Sequence, residues 1–197
     1  MGRIFYLMGK SASGKDTLYK KILERHPELK TVVLYTTRPM RDGETEGVEY
    51  HFTTPEELAA FEDGGRIIEK RTYQTVYGPW SYATVDDGQI DLEWSDYLVI
   101  GTLESYAKMR IYFGEEAMVP LYISVKDDVR LERALERERL QKTPKYAELC
   151  RRFLADEADF SRENLAACGI TEKYDNEDLE ACLKGIDRII LYRQRKL

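Results

Sequence analysis

Residues 9–15, Gly-Lys-Ser-Ala-Ser-Gly-Lys, match the GxxxxGK pattern of a Walker A phosphate-binding loop. The chemistry of such a loop is electrostatic. Gly9 and Gly14 let the backbone wrap closely, so that the N–H groups of Lys10, Ser11, Ala12 and Ser13 and the start of the next helix can face phosphate oxygens. Lys15 reaches the β and γ phosphates as a charge clamp. The pattern continues with Ser or Thr as a magnesium ligand, whereas this chain has Asp16 and offers a hydroxyl only at Thr17. Both are candidate Mg²⁺ ligands, because magnesium takes hard oxygen donors directly or through water. Asp16 can alternatively cap or orient the loop, and Lys10 can lie over the phosphates or point into solvent. The cofactors this loop calls for are ATP and Mg²⁺.

Such a loop works only between a strand and a helix, and the flanking sequence supplies both. Residues 4–8 (IFYLM) read as a short buried strand, and residues 15 to about 25 as a helix with Leu18 and Ile22 inward. Residues 32–35, 97–100 and 119–125 are further apolar strands, and 105–113 a helix between two of them. Strands alternating with helical patterns give an α/β class with a parallel core sheet. Residues 36–50 are polar and irregular, and 55–61 form a short helix with Thr54 and Glu57 as a capping box. Weaker strands at 66–70 and 82–85 flank a Tyr77-Gly78-Pro79 turn, so residues 35–90 read as a small mixed insertion in a core made of 1–34 and 91–197. Residues 127–140 are a highly charged helix whose ordinary reading is a solvated face. Helices are also predicted at 146–160 and 176–183, with a last strand or helix end at 188–192.

The bulk composition narrows the partners. Thirty Lys and Arg against 36 Asp and Glu leave a formal charge of −6, which argues against nucleic acid as the main partner while allowing a local basic pocket. Cys150, Cys168 and Cys182 form no CxxC pair, and His26 and His51 are the only histidines, poor material for a structural zinc. No apolar run approaches membrane-spanning length, and the odd cysteine count without a secretory leader leads us to expect a cytoplasmic protein with no membrane partner.

Beyond the loop, Thr36-Thr37-Arg38-Pro39-x-Arg41-x-Gly43-Glu44-x-x-Gly47-x-x-Tyr50-x-Phe52 resembles the signature of the guanylate kinase family, about twenty residues past the loop as in that family. The resemblance extends over nearly the whole chain. It implies a P-loop nucleoside monophosphate kinase fold with a parallel core, a nucleotide-binding insertion and a helical lid at about 130–150. It also implies phosphoryl transfer from ATP to a small phosphate acceptor, GMP. By that resemblance Arg38 and Arg41 bind the acceptor phosphate, a role suited to guanidinium forks. Tyr50 and Tyr77 resemble its phosphate-binding hydroxyls, Glu44 the residue supporting the site, and Glu69 the carboxylate that accepts from the guanine edge. Either tyrosine can instead be a wall residue, and Glu69 a solvated strand glutamate.

Arg133 and Arg137 resemble the lid arginines and Arg152 the arginine of the following helix, with Arg139 and Arg151 as substitutes. Asn176 resembles the segment beside adenine, or caps the last helix. Two positions depart from the family: Leu34 stands near its base-contacting serine, and Gly101 and Thr102 replace its usual acidic residues. The runs Leu7-Met8-Gly9 and Ser13-Gly14-Lys15-Asp16 also resemble the bacterial ribose 1,5-bisphosphate phosphokinases, relatives of that family. A sugar-phosphate acceptor and a non-catalytic kinase-like binding domain are therefore the competing readings.

Overall fold

The computed structural model describes residues 1–75 and 77–194. Val76, inside the predicted insertion, and the last three residues of the predicted core range lie outside them. The apolar run after Arg3 forms β1 (Ile4–Gly9), buried along its whole length. A strand with no polar face has to be covered on both sides. Phe5 and Leu7 pack against Leu18 and Ile22 of α1 (Lys15–Arg25) and Leu183 and Ile186 of α7 (Leu179–Gln194). Ile4, Tyr6 and Met8 point the other way, onto Tyr106 and Met109 of α3 (Leu103–Phe113).

β1 pairs in parallel with β7 (Tyr97–Gly101) on one side and β8 (Met118–Ser124) on the other. With β2 (Lys30–Thr31) and β9 (Tyr174–Asp175) at the edges, the order is β2-β7-β1-β8-β9, all parallel. Both neighbours of β1 arrive later in the chain, so a crevice opens at its carboxyl end, where ligands settle in such sheets. The loop that follows Gly9 emerges there.

A second, four-stranded sheet is mixed, with the order β4 (His51–Phe52), β3 (Tyr35–Thr36), β6 (Gly78–Val85), β5 (Ile67–Thr75). β3 and β4 run parallel while β6 is antiparallel to both β3 and β5. Leu58 of α2 (Pro55–Asp63) covers Ala83 and Val85. The predicted capping box is present: Thr54 accepts from the Glu57 amide at 3.1 Å, and the Glu57 carboxylate accepts from the Thr54 amide at 3.0 Å. A parallel core, a mixed insertion sheet and helices after β8 reproduce the predicted α/β class.

Three local expectations are corrected. The apolar run at 32–35 is not one strand, because the chain crosses there from one sheet to the other. Its Val33 amide and carbonyl bond the Gln89 side chain at 2.7 and 3.1 Å in place of a strand neighbour. The last helix does not begin at Asn176: Asp178 accepts from the Ala181 amide at 2.9 Å, and α7 starts at Leu179. Of the two readings of 188–192, strand or helix end, the structure shows the helix end, in the last turns of α7 with Ile190 in the core. β9 and the short helix α6 (Arg162–Ala167), capped by Ser161, add to the predicted set. The charged α4 (Asp127–Arg139) is not solvated all round, since Arg130, Ala134 and Glu138 form a buried stripe toward α5 (Tyr146–Asp159). No described helix is long and apolar enough to cross a membrane.

Removing the Thr54 hydroxyl leaves the Glu57 amide without its acceptor. Thr54→Ala should cost about 1 kcal/mol, read as a lower urea midpoint with an unchanged slope.

Candidate functional site

α1 begins without a side-chain cap, so the amides of its first turn are left for another acceptor. Gly14 stands at the N-cap with φ 85, a left-handed conformation that a side chain resists. An added Cβ there would also run into the Asn176 amide, which donates to the Ser13 carbonyl at 2.8 Å. Asn176, buried, thus braces the phosphate loop from the end of β9. Lys15 folds back over the loop, its Nζ 3.1 Å from the Lys10 carbonyl. Burial lowers its pKa, an effect the Asp16 and Asp156 carboxylates oppose. Lys10 pairs with Glu157 at 2.5 Å rather than lying open over the loop.

Asp16 and Thr17 are exposed in the first turn of α1, and their side chains make no hydrogen bond or ion pair among the described residues. One carboxylate and one hydroxyl fit a hard cation that arrives with phosphate oxygens and water. Among the described residues no cluster of three or more His, Cys, Asp or Glu is arranged to hold a metal.

Arg130 holds this loop to the helices that follow β8. It is 1% exposed, and its Nη1 lies 3.3 Å from the Ser11 carbonyl and 3.1 Å from Asp156. Its Nη2 donates to Glu157 at 2.7 Å and Asp127 at 3.0 Å, and the guanidinium lies 4.2 Å over the Phe153 ring. Asp156 in turn accepts from the Ser11 amide at 2.8 Å. Sequence reasoning passed over Arg130; the signal was its spacing from Ala134 and Glu138 on one helix stripe.

A cavity of about 630 Å³ runs from Gly9, Ser11 and Lys15 to Thr102, Glu104 and Asp159. A second, of about 510 Å³, is walled by Leu34, Tyr50, Trp80 and Tyr82 with Arg71 and Arg152. Tyr73 and Gly101 line both, so the two are contiguous. At the insertion end Arg38 is buried, donating to both Glu44 oxygens at 2.7 and 2.5 Å, with its guanidinium 4.9 Å over the Tyr50 ring and 5.4 Å over Phe52. That pairing holds Glu44 down at a pKa of about 2. Arg41 is exposed on the same loop, its amide donating to Glu44 at 2.8 Å. Tyr77 is apart from this group, 82% exposed and stacked on Trp80.

Glu69 is 2% exposed, accepts from Thr84 at 3.0 Å, and faces Arg71 Nε at 3.2 Å. Burial raises its pKa, against the pull of Arg71. It lines neither cavity; Arg71, two residues along the same strand face, does. Arg71 also bonds Thr102 at 3.2 Å, and Thr102 caps α3 through the Ser105 amide. At Gly101 an added Cβ would overlap the Tyr6 hydroxyl, which excludes any side chain, acidic or not.

Of the lid arginines, Arg152 lines the second cavity and also a crevice with Ser11 and Arg137. Arg133 bonds the Asn176 carbonyl at 3.1 Å, and Arg137 is exposed beside the crevice. Arg151 turns to solvent and pairs with Glu148 at 2.7 Å, and Arg139 is exposed. Cys150 is exposed, Cys168 half-buried and Cys182 buried, all as free thiols.

The model of a protein family described as guanylate kinase matches residues 1–190. The guanylate kinase of Salinibacter ruber is 34% identical over 141 residues, covering 68% of this chain and 69% of that one. That of Frankia casuarinae is 51% identical over 63 residues, 32% of this chain, so the match spans about a third of that relative, 34% of its length. The crystal structure of guanylate kinase from Anaplasma phagocytophilum superposes with a TM-score of 0.66 over 98% of this chain and 86% of that one, at 22% identity, a likeness of fold.

Two outcomes follow from the charge pairs. Arg130→Met strands Asp156 and Glu157 around an apolar stem and should lower unfolding free energy by about 2 to 3 kcal/mol, since two of its three carboxylates keep access to water; a urea titration reads it. Glu44 is depressed from 4.5 to about 2, so its contribution is complete above pH 4.5 and is lost as pH falls toward 2. Glu44→Gln should remove that part of the acid limb and leave a flatter stability profile between those values.

Proposed function

Because the chain belongs to the guanylate kinase family, we propose that it transfers the γ-phosphoryl group of ATP reversibly to a purine nucleoside monophosphate, with GMP the expected acceptor. The observation that carries this reading is that the two cavities, one on the phosphate loop and one beside Tyr50, adjoin at Tyr73 and Gly101, with Arg152 lining the second.

In this mechanism the β and γ phosphates lie on residues 9–15, where the uncapped first-turn amides of α1 and Lys15 supply donors. Mg²⁺ bound with the triphosphate supplies further charge neutralisation, and Asp16 and Thr17 are the oxygen ligands that fit it. Arg38, with Arg41 and Tyr50, holds the acceptor phosphate; the carboxylate of Glu44 fixes the Arg38 fork before the acceptor arrives. The base lies between the aromatic walls of the second cavity.

An acceptor phosphate oxygen attacks the γ phosphorus, the bond to the β–γ bridging oxygen breaks, and ADP leaves. No protein nucleophile is required, so catalysis is alignment and charge neutralisation. Arg152 stands where it can reach the transferring group from the crevice it shares with Ser11 and Arg137. Arg133, tied to the Asn176 carbonyl, adds positive charge from α4.

A sugar-phosphate acceptor is the second reading, favoured by the burial of Glu69 behind Arg71. One assay separates the two: Mg²⁺-dependent ADP release from ATP with GMP, dGMP, AMP, IMP, UMP, CMP or ribose 1,5-bisphosphate, with product identification. GDP formation is the expected result, and Lys15→Met and Arg152→Ala should each lower kcat by about 10²- to 10³-fold. A preference for the sugar phosphate would replace the acceptor while keeping the chemistry, and a covalent phosphoenzyme would sink the mechanism.

A further inference from the structure

Arg71 has no part in the family signature, yet it occupies the base end of the acceptor cavity. Its side chain is 10% exposed and lies between two anchors, Glu69 behind it and the Thr102 hydroxyl at 3.2 Å. Glu69 Oε2 and Arg71 Nε face each other at 3.2 Å without hydrogen-bond alignment, both buried and both without a hydrogen-bond partner. The carboxylate is thus turned into the guanidinium, and the polar surface that the cavity presents at this end is a donor. The other walls are rings, Tyr50, Tyr73, Trp80 and Tyr82, which suit a flat heterocycle better than a sugar. Leu34, on the same wall, offers no side-chain hydrogen bond.

We propose that Arg71 is the specificity-determining residue of the acceptor site, reading the hydrogen-bond acceptor edge (O6 and N7) of a 6-oxopurine in place of a carboxylate reading N1–H and the 2-amino group. A guanidinium matches the O6/N7 pair of a 6-oxopurine in one plane. It meets a donor in the 6-amino group of adenine and leaves both groups unpaired. Among the described residues no carboxylate lines this cavity to accept from a 2-amino group, so guanine and hypoxanthine become equivalent acceptors. The inference rests on the nucleotide-kinase reading above.

The test is kcat/KM for GMP, IMP and AMP on the wild type and on Arg71→Met, with ribose 1,5-bisphosphate as a fourth acceptor and with calorimetric binding of GMP and IMP to the wild type. The expected wild-type result is GMP and IMP within about threefold of one another and AMP lower by about a hundredfold or more. In Arg71→Met, discrimination against AMP should fall by at least about tenfold, and the ratio of GMP to IMP should rise as Glu69 opens to the 2-amino group.

A wild-type preference for GMP over IMP of about tenfold or more would overturn the proposal while leaving the kinase reading intact. So would a Met variant that lowers all three nucleotides by one common factor. Turnover of ribose 1,5-bisphosphate alone, or of no acceptor, would remove the nucleotide reading and this one with it. Should Arg71→Met fail to fold, Arg71→Lys and the wild-type binding ratio decide: the compact ammonium should lose the planar match to O6 and N7 and weaken both 6-oxopurines together.

Discussion

The site depends on one buried guanidinium. Arg130 touches the Ser11 carbonyl, Asp127, Asp156 and Glu157 at once, and so ties the phosphate loop to both helices that follow β8. Charges of this kind are costly to bury unless every donor is met, and here the guanidinium finds carboxylates from two helices and a ring face beneath it. The consequence is geometric. Arg133 and Arg137 on α4 and Arg152 on α5 are carried by helices whose position relative to the loop is fixed by that contact. Asn176 holds the opposite side of the loop through Ser13, so the loop is pinned from β9 and from α4–α5. With both braces in the protein, the first-turn amides of α1 remain free for phosphate.

The core was legible because its signals are local. Residues 4–8 have no polar face, which permits only a central parallel strand, and Leu18 and Ile22 fall one turn apart against it. Thr54 and Glu57 announce their helix by side chains that bond their own backbone, an interaction needing nothing from the rest of the fold. Asp178 does the same for α7, but Asn176 two residues earlier is an equally good cap by type, and the choice is made at a distance, by Ser13. The strand expected at 32–35 failed for a related reason. Its apolar residues fit a strand, while its hydrogen bonds are taken by Gln89, 56 positions away in sequence.

The candidate site was legible where its residues bond near neighbours in sequence and opaque around Glu69, where they do not. Residues 9–15 and 38–50 carry short patterns in which backbone and side chains act within a few positions of one another, as Arg38 and Glu44 do. Whether Glu69 reaches the cavity depends instead on what stands beside it on the strand and what that neighbour finds on β7. Arg71 reaches Thr102 across 31 positions, and an acid in place of Thr102 would have drawn it into an ion pair. The apparent losses at Leu34, Gly101 and Thr102 therefore belong to one rearrangement. Gly101 makes room for the Tyr6 hydroxyl, Thr102 supplies a neutral partner, and Leu34 adds an apolar wall.

Charge bookkeeping connects the two ends. Relative to the pattern it resembles, the chain gains a carboxylate at Asp16, in the first turn after the phosphate loop, and lacks the acidic residues at Gly101 and Thr102. Negative charge is thereby removed from the end of β7 and added at the start of α1, which changes what each side can bind. On the Asp16 side the exposed carboxylate suits a hydrated divalent ion, which needs few protein ligands once phosphate oxygens are present. On the Thr102 side, the absence of an acid lets the Arg71 guanidinium sit buried in an ion pair with Glu69. Buried pairs of this kind contribute little to stability, and their effect is to decide which polar face the cavity offers. Here the guanidinium lines the cavity and the carboxylate does not, so the face on offer is a donor.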